Sequence, residues 1–225
     1  MPSTPGKKPP PYGGSERKNT GMIVVIAVAA VAAIALIAAV VISQVGGDDG
    51  EPVPEGTQQT QPVVVEGEPL PQYTGQGNDA AIGTVPPMLE GRSFDGSSVV
   101  IDPNDGTPKL VVFLAHHCPH CQAEVPRMVE WASQGLVPAG VDVYGVATGT
   151  ASNRDNYPPS AWLEREAWPF PTLADSDTYQ AADAWGLTAY PYFVALDADG
   201  KVVQRASGEL TQEQFTALLA TIAPQ

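Results

Sequence analysis

The stretch that decides the fold runs from Lys109 to Pro126 and reads K-L-V-V-F-L-A-H-H-C-P-H-C-Q-A-E-V-P. After Lys109 it is apolar as far as Ala115, a pattern typical of a strand that is buried on both faces of a sheet. From Cys118 to about Gln134 the apolar residues have helical spacing. The sequence therefore predicts a central strand that gives way to a helix at a pair of cysteines.

The segments on either side of this stretch predict the rest of the sheet. In chain order they are a hairpin at 92–101, a strand at 141–147, helices at 160–167 and 177–185, and a hairpin at 192–205. Thr211 and Gln214 form a capping box that opens a final helix. This order of elements predicts an α/β fold, in which a mixed sheet is flanked by helices on both sides.

Cys118 and Cys121 are the only cysteines of the chain, and they lie where the strand meets the helix. Amides and the dipole at a helix N-terminus stabilise negative charge, so we expect Cys118 to be the nucleophile. Cys121, one turn further on, is expected to resolve a mixed disulfide at Cys118. We predict an enzyme that exchanges disulfides with partner proteins, needs no cofactor, and is reset by a second redox partner.

Other uses of this stretch stay open. A structural disulfide would close too small a loop to constrain the unfolded chain strongly. Copper or zinc binding is better supported, because His116, His117 and His120 are the chain's three histidines, and thiolate with imidazole suits both metals. Consecutive residues cannot all converge on one ion, however, and no second cysteine pair completes the set. We therefore predict no metal site and keep copper or zinc delivery as the alternative function.

Three motifs together resemble the thioredoxin superfamily, and more narrowly its membrane-anchored TlpA/ResA-like branch of extracytoplasmic thiol–disulfide oxidoreductases. They are F-L-A-H-H-C-P-H-C-Q-A-E-V-P at 113–126, W-P-F-P-T-L-A-D at 168–175 and G-L-T-A-Y-P-Y-F-V-A-L-D-A-D-G-K-V at 186–202. The resemblance covers about residues 84–225 and implies a thioredoxin-like fold with disulfide-exchange activity. The hairpin before the central strand also resembles peroxiredoxin relatives, so peroxide reduction is a further alternative.

The resemblance implies roles for four residues. Pro126 corresponds to the proline that kinks the helix, and Glu124 to a carboxylate near the active site that could carry protons to or from Cys121. Pro191 corresponds to the cis-proline that faces the disulfide. The backbone of the preceding residue, Tyr190, is then expected to pair with a partner peptide.

The chain also departs from the family pattern. His117 stands where a tryptophan usually precedes the first cysteine, and Val112 stands where thioredoxin has a buried aspartate, so proton transfer would depend on the carboxylate after the motif or on a histidine. The dipeptide Pro119-His120 resembles that of disulfide-introducing oxidases. A histidine there can stabilise the Cys118 thiolate and make the disulfide more oxidising. The scaffold thus favours a reductase and the dipeptide an oxidant, and of the two we expect an oxidant.

Charge and hydropathy divide the remaining chain. The net charge of -14 argues against a nucleic-acid binder. Residues 21–42 are uncharged, and 22 helical residues span about 33 Å, enough for a hydrocarbon core of about 30 Å. A cleaved signal peptide is the alternative, but the apolar run is long and ends at a poor cleavage site. Basic residues before the run and acidic residues after it predict a cytoplasmic N-terminus and an extracytoplasmic domain.

The predicted organisation has four parts. Residues 1–20 form a disordered cytoplasmic tail, and residues 21–42 form a transmembrane helix. Residues 43–87 are rich in proline, glycine and acidic side chains, a composition that predicts a flexible linker. Residues 88–225 form the thioredoxin-like domain. We expect a single-pass cell-membrane protein of bacterial type.

Overall fold

The computed structural model describes residues 56–224. The predicted tail at 1–20 and the predicted membrane span at 21–42 lie outside this range, and both stay predictions. Every helix within 56–224 is too short or too polar to cross a bilayer.

Eight strands and four helices make up the described part of the chain. The strands are β1 Val64–Glu66, β2 Met88–Arg92, β3 Ser98–Ile101, β4 Lys109–Leu114, β5 Asp142–Ala147, β6 Thr172–Ala174, β7 Tyr192–Leu196 and β8 Val202–Ser207. The helices are α1 Pro119–Ser133, α2 Pro159–Arg165, α3 Gln180–Ala184 and α4 Gln212–Ala220. The capping box predicted for the last helix is confirmed at Thr211 and Gln214.

The central sheet has the strand order β6-β5-β4-β7-β8. β4, β5 and β6 run parallel, whereas β7 is antiparallel to β4 and β8 is antiparallel to β7. All residues of β4 are buried, as its apolar run predicts for a strand covered on both faces. The predicted mixed sheet is confirmed, and parallel β4 and β5 place their carboxyl ends together at one edge.

Successive side chains of β4 point to opposite faces and divide the core in two. Val112 and Leu114 pack in a cluster with residues of α1, α2 and α4. Val111 and Phe113 pack in a second cluster with α3 and with the small antiparallel sheet β1-β2-β3. Helices therefore cover both faces, as predicted, but the small sheet shares the second face with α3.

The flexible linker predicted for 43–87 is wrong over residues 56–87, which pack against the domain. β1 lies in this segment and pairs with β2, with Val64 opposite Glu90. Val63, Leu70 and Ala81 are buried in the second core cluster. A few apolar residues at wide intervals are enough to attach this segment, although its average composition is that of a linker.

Arg205 on β8 holds the same segment from inside the domain. Its side chain is 1% exposed and forms a two-point ion pair with Asp79. The guanidinium also donates to the Pro71 carbonyl oxygen (2.8 Å) and to the Tyr192 hydroxyl (3.0 Å). The guanidinium lies 5.2 Å from the centre of the Tyr73 ring, within cation–π range. This buried cation needs the segment to neutralise it, so the segment is part of the fold.

Candidate active site

The two cysteines lie where β4 ends and α1 begins, at the carboxyl edge of the parallel strands. Cys118 is the N-cap residue of α1, and its amide donates to the Ala115 carbonyl oxygen at 3.0 Å in the turn between the two elements. Pro119 occupies the first turn of the helix, where its missing N–H costs nothing. The Cys118 thiol is therefore placed at the helix N-terminus, as the sequence predicts.

Cys118 and Cys121 have different surroundings. Both are free thiols, but Cys118 is partly exposed and Cys121 is fully buried. Burial raises the pKa of Cys121 well above its ordinary value, and the Ala115 amide, which donates to Cys121 Sγ at 3.5 Å, offsets only part of this effect. Cys121 is thus a protonated thiol that needs a base before it can attack, whereas Cys118 is the sulfur that a partner can reach.

Glu124 lies one turn beyond Cys121 on the same helix, and its side chain is completely buried. Burial raises the pKa of Glu124 to about 7, although hydrogen bonds from the Leu210 amide (3.2 Å) and from Arg127 (3.0 Å) oppose the change. Within residues 56–224, its Oε1 atom has no hydrogen-bond partner. A carboxyl group with this pKa can both take up and release a proton near neutrality, as proton transfer to a thiol requires.

A network of charges joins Glu124 to the histidine of the motif. Arg127 Nη2 donates to Glu124 Oε2 at 3.0 Å and to Glu209 Oε2 at 2.5 Å. The other oxygen of Glu209, Oε1, lies 2.7 Å from His120 Nδ1. The His120 ring, 65% exposed, is therefore bonded to a carboxylate rather than to Cys118.

His116 and His117 both bind the segment 149–155 beside Cys118. The buried His116 ring accepts at Nε2 from the Ala151 amide (3.2 Å), so its Nδ1 carries the proton and donates to the Asp155 carbonyl oxygen (2.7 Å). Burial lowers the pKa of His116, which keeps the ring neutral in this arrangement. His117 Nε2 lies 3.1 Å from the Gly149 carbonyl oxygen.

The Tyr190–Pro191 peptide bond is cis and faces the nucleophile, as predicted. The Tyr190 carbonyl oxygen lies 4.0 Å from Cys118 Sγ. The Tyr190 hydroxyl reaches Gly149, where an added Cβ atom would lie 2.9 Å from the Tyr190 oxygen. Gly149 also has φ of +64°, which disfavours a side chain. Tyr190 and the segment 149–155 therefore form adjoining walls next to Cys118.

The sequence profile of the Redoxin family matches residues 50–221. The chain belongs to the Redoxin family. Two curated relatives are thiol:disulfide interchange proteins. The DsbE homolog of Paracoccus denitrificans is 31% identical over 142 residues, which cover 61% of this chain and 72% of that protein. HelX of Rhodobacter capsulatus is 30% identical over 118 residues, which cover 51% of this chain and 60% of that protein.

A third relative is the thiol-disulfide oxidoreductase ResA of Halalkalibacterium halodurans. It is 21% identical over 134 residues, which cover 60% of this chain and 73% of that protein. The family match and these relatives together show that the chain is a TlpA/ResA-like member of the thioredoxin superfamily. They also show that it is a protein thiol–disulfide oxidoreductase.

Two solved structures show the thioredoxin-like fold. A secreted Mycobacterium tuberculosis disulfide oxidoreductase homologous to Escherichia coli DsbE is 20% identical with a TM-score of 0.50, covering 59% of this chain and 95% of that one. StoA from Bacillus subtilis is 18% identical with a TM-score of 0.50, covering 60% of this chain and 97% of that one.

In this Redoxin-family site, most of the residues singled out from the sequence lie together. Those grouped around the two sulfurs or directly beside them are His117, Cys118, Pro119, Cys121, Glu124, Tyr190 and Pro191. Pro126 lies within α1, as predicted, but on its exposed side. His120 also lies in the first turn of α1, turned toward Glu209.

Two contributors were missed by sequence reasoning. Glu209 follows β8 and carries no local signal, because only the return of that strand brings it to α1. His116 was considered only as a metal ligand, but backbone atoms occupy both of its ring nitrogens. Across residues 56–224, no three His, Cys, Asp or Glu side chains are arranged to hold a metal ion. The copper or zinc alternative therefore gains no support from the site.

Proposed function

We propose that the protein exchanges disulfides with extracytoplasmic proteins, with Cys118 as the nucleophile and Cys121 as the resolving thiol. The observation that carries this proposal is the unequal burial of the two thiols. A partner can reach the partly exposed Cys118 next to the Tyr190 carbonyl, whereas the fully buried Cys121 can react only with Cys118. The sulfur that forms the mixed disulfide and the sulfur that resolves it are thereby distinguished.

In the oxidising direction, a partner thiolate attacks Cys118 Sγ of the oxidised pair. A new S–S bond joins the partner to Cys118 as the Cys118–Cys121 bond breaks, and its electron pair leaves on Cys121. Protonated Glu124 supplies the proton that makes Cys121 a neutral thiol. A second partner thiolate then attacks the partner sulfur of the mixed disulfide, and Cys118 leaves as a thiolate.

The pair is reset by the reverse chemistry with a second redox partner that carries a disulfide. The Cys118 thiolate attacks that disulfide and releases one partner thiolate. Ionised Glu124 takes the proton of Cys121, whose thiolate attacks Cys118 Sγ and expels the other partner sulfur. Each cycle moves two electrons from the dithiol of the substrate to the disulfide of the second redox partner, and Glu124 recovers from Cys121 the proton that it gave up.

We propose oxidation of partner thiols as the physiological direction, which rests on the Pro119-His120 dipeptide. His120 Nδ1 is bonded to Glu209, so this nitrogen does not donate to the Cys118 thiolate. Titration of the full chain against glutathione, with alkylation of the remaining thiols, measures the reduction potential. A value near about -120 mV supports an oxidant, and a value near about -270 mV would make the protein a reductase.

We further propose that residues 21–42 anchor the chain in the cell membrane with the N-terminus in the cytoplasm. The support is the uncharged run itself and the basic residues that precede it. Protease added to intact spheroplasts is expected to digest the domain but to spare the basic N-terminal tail. Release of the protein by alkaline carbonate without detergent would refute the anchor.

Two cysteine variants test the exchange mechanism. Cys118→Ser is expected to abolish exchange with protein disulfides. Cys121→Ser is expected to accumulate partners as mixed disulfides at Cys118, which appear as larger bands on non-reducing gels and disappear with reductant. Mixed disulfides that persist in Cys118→Ser and form at Cys121 would reverse the assignment of the two thiols.

A further inference from the structure

One nitrogen atom of Arg127 donates hydrogen bonds to two carboxylates. Nη2 donates to Glu124 Oε2 at 3.0 Å and to Glu209 Oε2 at 2.5 Å, so the shorter contact is with Glu209. Glu124 is completely buried, whereas Arg127 and Glu209 are each 36% exposed. The carboxylate at the surface thus competes with the buried one for the same cation.

The backbone next to Glu209 completes the arrangement. The amide of the following residue, Leu210, donates to the same Oε2 atom of Glu124 at 3.2 Å. A single turn between β8 and α4 therefore places a hydrogen-bond donor against the buried carboxyl and a competing carboxylate against Arg127. His120, bonded to the other oxygen of Glu209, holds that side chain in place from the active-site side.

We propose that Glu209 is a positioning residue, which draws the Arg127 charge away from Glu124 so that the buried carboxyl can exchange a proton with Cys121. An arginine paired with Glu124 alone would stabilise the carboxylate and leave it a weak base. The inference rests on the proposed role of Glu124 as the proton carrier.

The charged groups that act on Glu124 come from two elements. On α1, Arg127 lowers the pKa of Glu124, and the charge of Glu124 in turn raises the pKa of Cys121; on the turn before α4, Glu209 raises the pKa of Glu124. Hydrogen bonds with His120 and with Arg127 hold the pKa of Glu209 below its ordinary value, so Glu209 keeps its negative charge at neutral pH. Glu209 can therefore oppose Arg127 throughout the range in which Glu124 titrates.

The test is the titration of Glu124 in the full chain, held in detergent. Glutamate labelled with ¹³C at the side-chain carboxyl is followed by NMR against pH, and the Glu124→Gln variant assigns the Glu124 signal. In Glu209→Gln, which keeps the size of the side chain, the midpoint of Glu124 is expected to fall by about half a pH unit or more. Glu213→Gln is the matched control, because it removes the same charge from an exposed position in α4.

An unchanged or raised midpoint in Glu209→Gln overturns the proposal, and so does an equal fall in Glu213→Gln. A merely structural role would lower the melting temperature of Glu209→Gln without moving the midpoint. The role of Glu124 in exchange is tested separately by the rate of Glu124→Gln. If that rate is normal while the midpoint still moves in Glu209→Gln, the proton-carrier role fails but the sharing of Arg127 stands.

Discussion

The substitution Glu124→Gln separates the two chemical steps assigned to the cysteines. Glutamine keeps the size of the side chain and can still accept from Leu210 and Arg127, but it cannot take a proton from Cys121. Because burial keeps Cys121 protonated, we expect attack by Cys121 to slow by about 10²-fold, the lower end of general-base effects. Attack by the partly exposed Cys118 does not involve this carboxyl and is expected to be unchanged.

A symmetric aromatic disulfide with a chromogenic leaving thiol reports both steps in one stopped-flow trace. Cys118 attacks it and releases one equivalent of coloured thiol, and Cys121 then resolves the mixed disulfide and releases a second. In Glu124→Gln the first phase is expected to match the unsubstituted protein and the second to slow. Glu130→Gln, on the exposed side of the same helix, is the control. A second phase of normal rate would refute the proton-transfer role.

The raised pKa of Glu124 also predicts how Glu124→Gln changes the dependence of the free energy of unfolding on pH. The folded protein raises the pKa of Glu124 from 4.5 to about 7, so it binds this proton more tightly than the unfolded chain does. The stabilisation is complete below pH 4.5 and is lost as the pH rises to about 7. The loss amounts to about 2 kcal/mol once solvent screening around the partly exposed Arg127 is allowed for. Between pH 4.5 and about 7, the free energy of unfolding of Glu124→Gln, measured by urea denaturation, is therefore expected to rise by about 2 kcal/mol relative to that of the unsubstituted protein. A constant difference would contradict the raised pKa.

Two further substitutions test how the segment 149–155 and residues 71–79 are held. His116→Ala removes both bonds to the segment 149–155, and we expect a loss of about 1–3 kcal/mol with faster tryptic cleavage at Arg154 than in the loop control Asn153→Ala. Equal cleavage would refute the role of His116. Arg205→Met leaves the Asp79 carboxylate without its ion pair, and we expect urea denaturation to show a loss of about 3 kcal/mol. The exposed Lys201→Met is its control, and a loss below about 0.5 kcal/mol would mean that residues 71–79 are not held by this cation.

Local signals predicted the central part of this molecule. The apolar run of β4, the helical spacing of apolar residues in α1 and the turn between β7 and β8 each act over a few residues, so the sequence places them without tertiary information. The position of Cys118 at a helix N-terminus follows directly from that order. The cis bond before Pro191 came from the family resemblance and is confirmed by the structure.

The features that the sequence did not predict all depend on distant contacts. Glu209 is 82 positions from Arg127, and no spacing rule relates them. The segment 56–87 looks like a linker by composition, because its few apolar residues are diluted by polar ones, yet Val63, Leu70 and Ala81 are buried against the domain. β6 has only three residues, too few for a periodic pattern, and its neighbour β5 supplies the pairing.

These distant contacts also explain why the sequence does not predict the electrostatics of the site. The sequence supplies the two sulfurs and Glu124 on one helix, an order that any chain with these motifs shares. Whether Glu124 can exchange a proton near pH 7 depends on the charged and hydrogen-bonding groups around it. Two of these groups, the Glu209 carboxylate and the Leu210 amide, lie on the turn before α4. In a chain with the same motif but a neutral residue at position 209, Arg127 would form its ion pair with Glu124 alone. The Glu124 carboxyl would titrate at lower pH and would be a weaker base for Cys121.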